Sequence, residues 1–224
     1  MLLHGLGRTP LSMKRLEWTL EKENYRVINA GYPSTRVSIQ EAADRWLGEI
    51  LRERTTDQTV KIHFVTHSLG GIVLRQYLSE HRIENLGRVV MLAPPNRGSE
   101  LADRLKNNCL YRLATGPAGQ QLGTSDSSVP NRLGPADFEL GVIAGNRSLN
   151  PLFSWWIPGP DDGKVSVRST RLAGMQDFLV VHHSHTWMAW SSEVSAAVAQ
   201  FLRSGCFASG VFLPHSFPLR FVDP

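Results

Sequence analysis

The sequence predicts an α/β fold, a minimal core of about six mostly parallel strands flanked by helices on both faces. Two observations carry that prediction. Short apolar runs alternate with amphipathic stretches of helical period along most of the chain. The segments rich in Gly, Ser, Asp and His fall directly behind those apolar runs, on the side where parallel α/β sheets form crevices.

Met1-Leu2-Leu3-His4 reads as the end of a first strand, and residues 12–22 as a helix with Met13, Leu16 and Leu20 on one face. Arg26 to Ala30 is expected as the second strand. Ser38 followed by Glu41 has the spacing of a capping box, in which each side chain satisfies a free backbone N–H at the start of a helix. Ile39, Ala42, Ala43, Trp46, Leu47 and Ile50 then keep helical spacing toward the sheet. Val60 to Val65 is the third strand, Ile72 to Leu78 lies in the following helix, and Arg88 to Ala93 is the fourth strand. A short helix is expected near Ser99, and then a loop rich in Gly, Ser and Pro from Thr115 to Pro135. Leu140 to Ala144 and Phe178 to Val181 are the last two strands. A final helix from Ser192 to Arg203 presents Val194, Val198 and Phe201 and stops at Gly205. The domain expectation is one α/β unit over residues 1–205, with a small cover within about 100–137, and a tail over 206–224 that fits neither period.

With 224 residues, 42% hydrophobic and 20% charged, the composition is that of a globular protein with a substantial core. No apolar run reaches the length of about 18 residues that a membrane span needs, so no stable membrane insertion is expected. The N-terminus shows no signal peptide, which makes the cytoplasm the default location, with export compatible with an incomplete N-terminus. The net charge is +4, but the arginines are dispersed rather than set in a stripe, which argues against a nucleic-acid partner. Cys109 and Cys206 fit neither a disulfide framework nor a zinc site.

Four segments carry chemistry. Val65-Thr66-His67-Ser68-Leu69-Gly70-Gly71 sits where a strand meets a helix. Such a corner holds the central side chain out over the sheet and aims free helix N–H groups at developing negative charge, making Ser68 a candidate nucleophile and the Leu69 N–H an oxyanion donor. Thr66 stands where this elbow usually has glycine. His4-Gly5-Leu6-Gly7 lets the backbone bend over the same place, with the Leu6 N–H as second donor. Gly159-Pro160-Asp161-Asp162-Gly163 puts carboxylates on a tight turn, suited to orienting an imidazole. Val181-His182-His183-Ser184-His185 supplies three candidate bases; no carboxylate or cysteine spacing around them supports a metal site. The order Ser, Asp, His is that of α/β-hydrolases.

On these segments the sequence resembles small bacterial lipases and esterases of the α/β-hydrolase superfamily. The likeness runs from Leu2-Leu3-His4-Gly5-Leu6-Gly7-Arg8 to the helix ending near Arg203, and includes Ala93-Pro94-Pro95-Asn96-Arg97-Gly98 and Ala144-Gly145-Asn146-Arg147-Ser148-Leu149-Asn150-Pro151. The resemblance implies that Asp162, immediately before glycine, is the acid, and that His185, before the last helix, is the base. It implies a serine carboxylesterase or lipase acting on a small ester or lipid without cofactor or metal, with an acyltransferase, a thioesterase or a non-catalytic binding protein as alternatives. Trp155 and Trp156, just before the acid loop, are candidate substrate-binding residues, and short- to medium-chain esters are the expected substrates.

Overall fold

A computed structural model of the chain describes residues 1–55 and 57–207. Most of the 206–224 tail therefore lies outside the described residues. Six strands, β1 (Leu2–Leu3), β2 (Asn29–Ala30), β3 (Ile62–His67), β4 (Leu86–Leu92), β5 (Leu140–Gly145) and β6 (Asp177–Val181), form one sheet. Its order is β2-β1-β3-β4-β5-β6, and every neighbouring pair is parallel. Chain order reverses between β1 and β3, so the loops leaving these two strands diverge and open a crevice at their carboxyl ends.

The helices are α1 (Lys14–Lys22), α2 (Ile39–Glu41), α3 (Gly48–Arg54), α4 (Leu69–Glu80), α5 (Glu100–Leu105), α6 (Cys109–Gln120), α7 (Val129–Arg132), α8 (Pro151–Trp156), α9 (Val167–Thr170) and α10 (Ser192–Ser204). The two-residue period of the central strands divides the core between them. Val65, Val90, Leu92 and Ile143 face Met13, Leu16 and Leu20 of the α1 region and Val194, Val198 and Phe201 of α10. Phe64, Val89, Met91 and Val142 face Ile39, Ala42, Ala43, Leu47 and Ile72 to Leu74 on the other side. Because both faces are covered, these strands read as continuous apolar runs.

Three elements differ from the sequence expectation. The second strand pairs only through Asn29 and Ala30, because β1 offers register partners only from Leu2 onward. The third strand starts at Ile62, not Val60, since its pairing with β4 begins at Ile62–Leu86 and Val60 is exposed. The stretch expected as a loop from Thr115 to Pro135 contains the end of α6 and all of α7. Gly116 breaks α6 at φ 60°, ψ −162°, and Pro117 restarts it. A Cβ at Gly116 would stand 1.7 Å from the Thr35 carbonyl oxygen, so the break is also a close approach to the α2 side of the molecule. The Gly-Pro pair that reads as a loop signal is thus the hinge of a helix. The capping box at Ser38 is half made: its Oγ accepts the Glu41 N–H at 3.1 Å, while the Glu41 carboxylate turns to Arg45. Between α2 and α3 the helix is π-wound over Ala42–Leu47.

The connection after β4 is tied down by a buried arginine. Arg75 of α4 donates to the carbonyls of Asn96, Pro130 and Gly134 and to Asn96 Oδ1. These oxygens compensate a cation that burial pushes down to about 10. Residues 94–134 are in this way fastened over the helix that begins at Ser68. No described helix is long and apolar enough to cross a membrane, and Cys109 and Cys206 are free and exposed.

Candidate active site

β3 ends in a corner rather than a taper. Ser68 adopts φ 52°, ψ −120°, a conformation that costs an L-residue energy and survives only where its surroundings impose it. Its N–H donates to the Leu92 carbonyl at 2.8 Å, and its own carbonyl accepts the Gly71 N–H at 3.0 Å, so the turn is pinned from both sides. Space explains the glycines that follow. A Cβ at Gly70 would lie 2.6 Å from the Leu3 carbonyl oxygen, and one at Gly71 would lie 3.2 Å from Thr66 Oγ1 and Met91 Sδ. Thr66 replaces the usual glycine at no gain in hydrogen bonding: it is fully buried and its Oγ1 has no partner.

The loop after β1 lies against this corner, since a Cβ at Gly5 would come within 3.1 Å of Ser68 Cβ. His4 organises the loop. Its Nδ1–H donates to the Gly5 carbonyl at 3.0 Å, while Nε2 accepts the Tyr32 N–H and the Tyr32 hydroxyl donates to the His4 carbonyl at 2.7 Å. The two rings stack with centroids 4.5 Å apart. In a trans peptide the N–H points opposite to the carbonyl, so holding the Gly5 carbonyl on the His4 side turns the Leu6 N–H away from it. Neither the Leu6 nor the Leu69 N–H has a hydrogen-bond partner among the described residues.

The candidate acid and base lie on the connections that follow β5 and β6. Asp162 is buried, and its Oδ1 accepts the N–H groups of Lys164 (3.0 Å) and Val165 (2.9 Å). Its Oδ2 accepts His185 Nδ1–H at 2.7 Å, and its carbonyl accepts the His185 N–H at 2.9 Å. That double attachment fixes the ring, leaving Nε2 to accept the Ser68 hydroxyl at 3.0 Å. Asp161 is used differently, accepting from Ser154 Oγ and the Gly163 N–H. The other two histidines also go elsewhere: His182 to Asn146, and His183 to Glu193 and Ser191.

His67 is the residue that sequence reasoning passed over. It is buried, its Nε2–H donates to the His185 carbonyl at 3.0 Å, and its ring lies 4.9 Å from that of His185. Burial, and next the neighbouring His185 and Lys164, hold it well below the usual imidazole value, so it stays neutral with its unprotonated Nδ1 unpartnered. Its place beside Ser68 in the sequence was the available signal.

A cavity of about 240 Å³ opens over Ser68. Its polar part includes Ser68, His185, His67, Arg8 and Lys164; its apolar part includes Leu101, Leu105, Tyr111, Leu122 and Phe153. Trp155 and Trp156 do not line it. Helical rotation along α8 directs Phe153 to the cavity and leaves Trp155 81% exposed, while Trp156 stacks on Phe153 at 6.0 Å. The helical period of 151–156, had it been applied to that segment, separates Phe153 from Trp155 by about 200°.

No family model matches the chain, and no curated protein sequence matches it. Solved structures do. The mature form of the lipase BlEst2 from Bacillus licheniformis is similar over 91% of this chain and 90% of its own, with 20% identity and a TM-score of 0.68. The phospholipase PlaB from Legionella pneumophila is similar over 76% of this chain and 44% of its own, with 21% identity and a TM-score of 0.65. A thermophilic esterase from Thermogutta terrifontis covers 91% of this chain and 89% of its own, at 17% identity and a TM-score of 0.56. Likeness at this level of identity establishes architecture, and with the six parallel strands and their flanking helices it shows that this chain has the α/β-hydrolase fold of bacterial lipases and esterases.

Proposed function

We propose that the protein is a serine carboxylic-ester hydrolase in which Ser68 is the nucleophile, His185 the base and Asp162 the acid that orients it. The observation that carries this reading is the continuous relay from the strained Ser68 through His185 to Asp162, with contacts of 3.0 and 2.7 Å. His185 takes the Ser68 proton as Oγ attacks the ester carbonyl, and the Leu6 and Leu69 N–H groups hold the oxyanion. The imidazolium then gives its proton to the departing alcohol, leaving Ser68 acylated. Water attacks the acyl group with His185 again as base, releasing the carboxylic acid and restoring the serine hydroxyl. Asp162 keeps the tautomer that this sequence needs and stabilises the imidazolium.

The apolar walls from α5, α6 and Phe153 suit an acyl chain, so residues 100–137 act as a fixed cover. The volume of about 240 Å³ lies below the roughly 300–1,000 Å³ of pockets that enclose larger ligands, which favours short- to medium-chain esters. The lipase and esterase names of the structural neighbours support the same class of substrate.

The test is hydrolysis of p-nitrophenyl esters of increasing chain length by the purified protein beside Ser68→Ala. The reading expects turnover that peaks on short or medium chains and is lost in the variant. Equal turnover by both proteins contradicts the role of Ser68, and a peak on long chains contradicts the chain-length assignment.

A further inference from the structure

The cavity over Ser68 is charged in a way that the hydrolysis of a neutral ester does not require. Arg8 and Lys164 both line it, and none of its lining residues is acidic. Neither cation has a carboxylate within 4.0 Å among the described residues. Arg8 makes one side-chain contact, donating to Thr186 Oγ1 at 3.2 Å, and the Lys164 ammonium makes none. The carboxylates nearest in sequence are already engaged, Asp162 by His185 and two backbone N–H groups, Asp161 by Ser154 and Gly163.

Both residues are only partly exposed, so the arrangement brings two like charges into a confined space with no carboxylate in direct contact; the Asp162 charge reaches Lys164 only at longer range and is already bonded to His185. Such repulsion is unfavourable unless something else occupies the space between them. It is sensed locally: burial first, and then Arg8, hold the Lys164 ammonium below its usual value against an opposing pull from Asp162, and both cations contribute to keeping His67 neutral. The placement is built from two separate elements of the site. Arg8 follows the oxyanion loop after β1, and Lys164 follows the Asp162 turn, so the cations stand on the two loops that flank the reacting atoms. The apolar lining from Leu101 to Phe153 accounts for a hydrocarbon chain; it does not account for the cations.

We propose that Arg8 and Lys164 form an anion subsite, and that the preferred substrate is an ester bearing a phosphate or carboxylate group. The anion sits between the guanidinium and the ammonium while the acyl carbonyl lies at Ser68. This rests on the ester-hydrolase reading, and it adds a recognition element that a neutral nitrophenyl ester leaves unused.

The experiment compares kcat/KM for two matched pairs in the full chain. One pair is p-nitrophenyl butyrate and mono-p-nitrophenyl glutarate, which places a carboxylate on the acyl side. The other is 1-butyrylglycerol and 1-butyrylglycerol 3-phosphate, which places a phosphate on the alcohol side. The anionic member of at least one pair is expected to be preferred, and the preference, read as the ratio of kcat/KM for the anionic and neutral members within each protein, to fall about tenfold in Lys164→Gln or Arg8→Gln. Added salt should reduce the preference in the parent protein. Which pair responds tells the carboxylate source from the phosphate source. Neutral esters turned over as well as anionic ones in both pairs, or a preference that survives both substitutions, overturns the proposal.

Binding separates failure of this subsite from failure of the hydrolase reading. Calorimetric titration of Ser68→Ala with monobutyl phosphate and with glutarate needs no turnover. Saturable binding of either anion that disappears when Lys164→Gln is added supports the subsite even if no ester is cleaved. No saturable binding of either anion, together with no anionic preference in turnover, overturns it.

Discussion

The two ends of the sheet use space differently. At the amino ends of the strands a groove of about 560 Å³ is lined by Leu20, Tyr25, Val27, Ile62, His63 and neighbouring side chains. At the carboxyl ends the cavity is less than half that size, about 240 Å³, yet Ser68, His185, His67 and both unpaired cations line it. The difference lies in the backbone. At the carboxyl ends, chain order reverses between β1 and β3, so two loops diverge and leave peptide N–H groups free, and the loops carrying Asp162 and His185 after β5 and β6 fold back over the gap. The proposed chemistry therefore follows the convergence of strand ends rather than cavity volume.

Substitutions at the two ends should consequently separate by orders of magnitude. Ser68→Ala should lower kcat for p-nitrophenyl butyrate by about 10⁴-fold or more, while Tyr25→Phe in the larger groove should stay within about twofold of the parent under the same assay. Asp162→Asn should lower kcat by about 10²–10⁴-fold with little change in KM, because it disturbs the tautomer of His185 rather than a binding contact. A KM effect that dominates would move Asp162 from catalysis to substrate binding.

Smaller effects concern how the corner is held. Gly70→Ala places a methyl 2.6 Å from the Leu3 carbonyl, a rigid backbone atom, so it should cost about 1–3 kcal/mol in urea unfolding. Thr66→Val should do the opposite. It removes a buried hydroxyl oxygen that has no partner while keeping its shape, and should raise stability by about 1 kcal/mol with activity retained. A loss of activity in Thr66→Val with the fold intact would show that the hydroxyl has a role in the elbow.

The smallest effect is the pH dependence of stability. Burial holds His67 well below, and His4 below, the ordinary imidazole value. Below about pH 6.5 the unfolded chain binds protons that the folded chain refuses. The contribution is therefore full above that pH and is lost as pH falls toward the folded values. The urea midpoint should drop between about pH 7.5 and about pH 5.5, with a shallower slope in His67→Gln, whose amide can still donate to the His185 carbonyl.

How much of this was legible in the sequence depends on how local the cause is. The strands and the helices α1, α4 and α10 show themselves because each buries one stripe or one apolar run, which is a periodic signal. The second strand was overread because its length is set by its neighbour, where pairing begins at Leu2. α6 was underread because Gly116 and Pro117 are loop-like locally and helical only once Thr35 is packed against them. At the site, the serine corner and the two glycine-bearing loops were legible because strained backbone needs particular residues. The choice between Asp161 and Asp162, and between His183 and His185, came from resemblance; in the structure only Asp162 and His185 share a hydrogen bond leading to Ser68. Phe153 and the His67 contact depend on rotation and packing across distant segments, which no local pattern records.

The central claim is that Ser68 carries the acyl group during turnover. It is tested most directly by rapid quenching of the protein with p-nitrophenyl butyrate, followed by mass spectrometry of the peptide containing Ser68. The account predicts the mass of one butyryl group on that serine within the first turnover, absent in Ser68→Ala. Ester hydrolysis that proceeds with Ser68 never acylated, or with the same adduct on another residue, would contradict it.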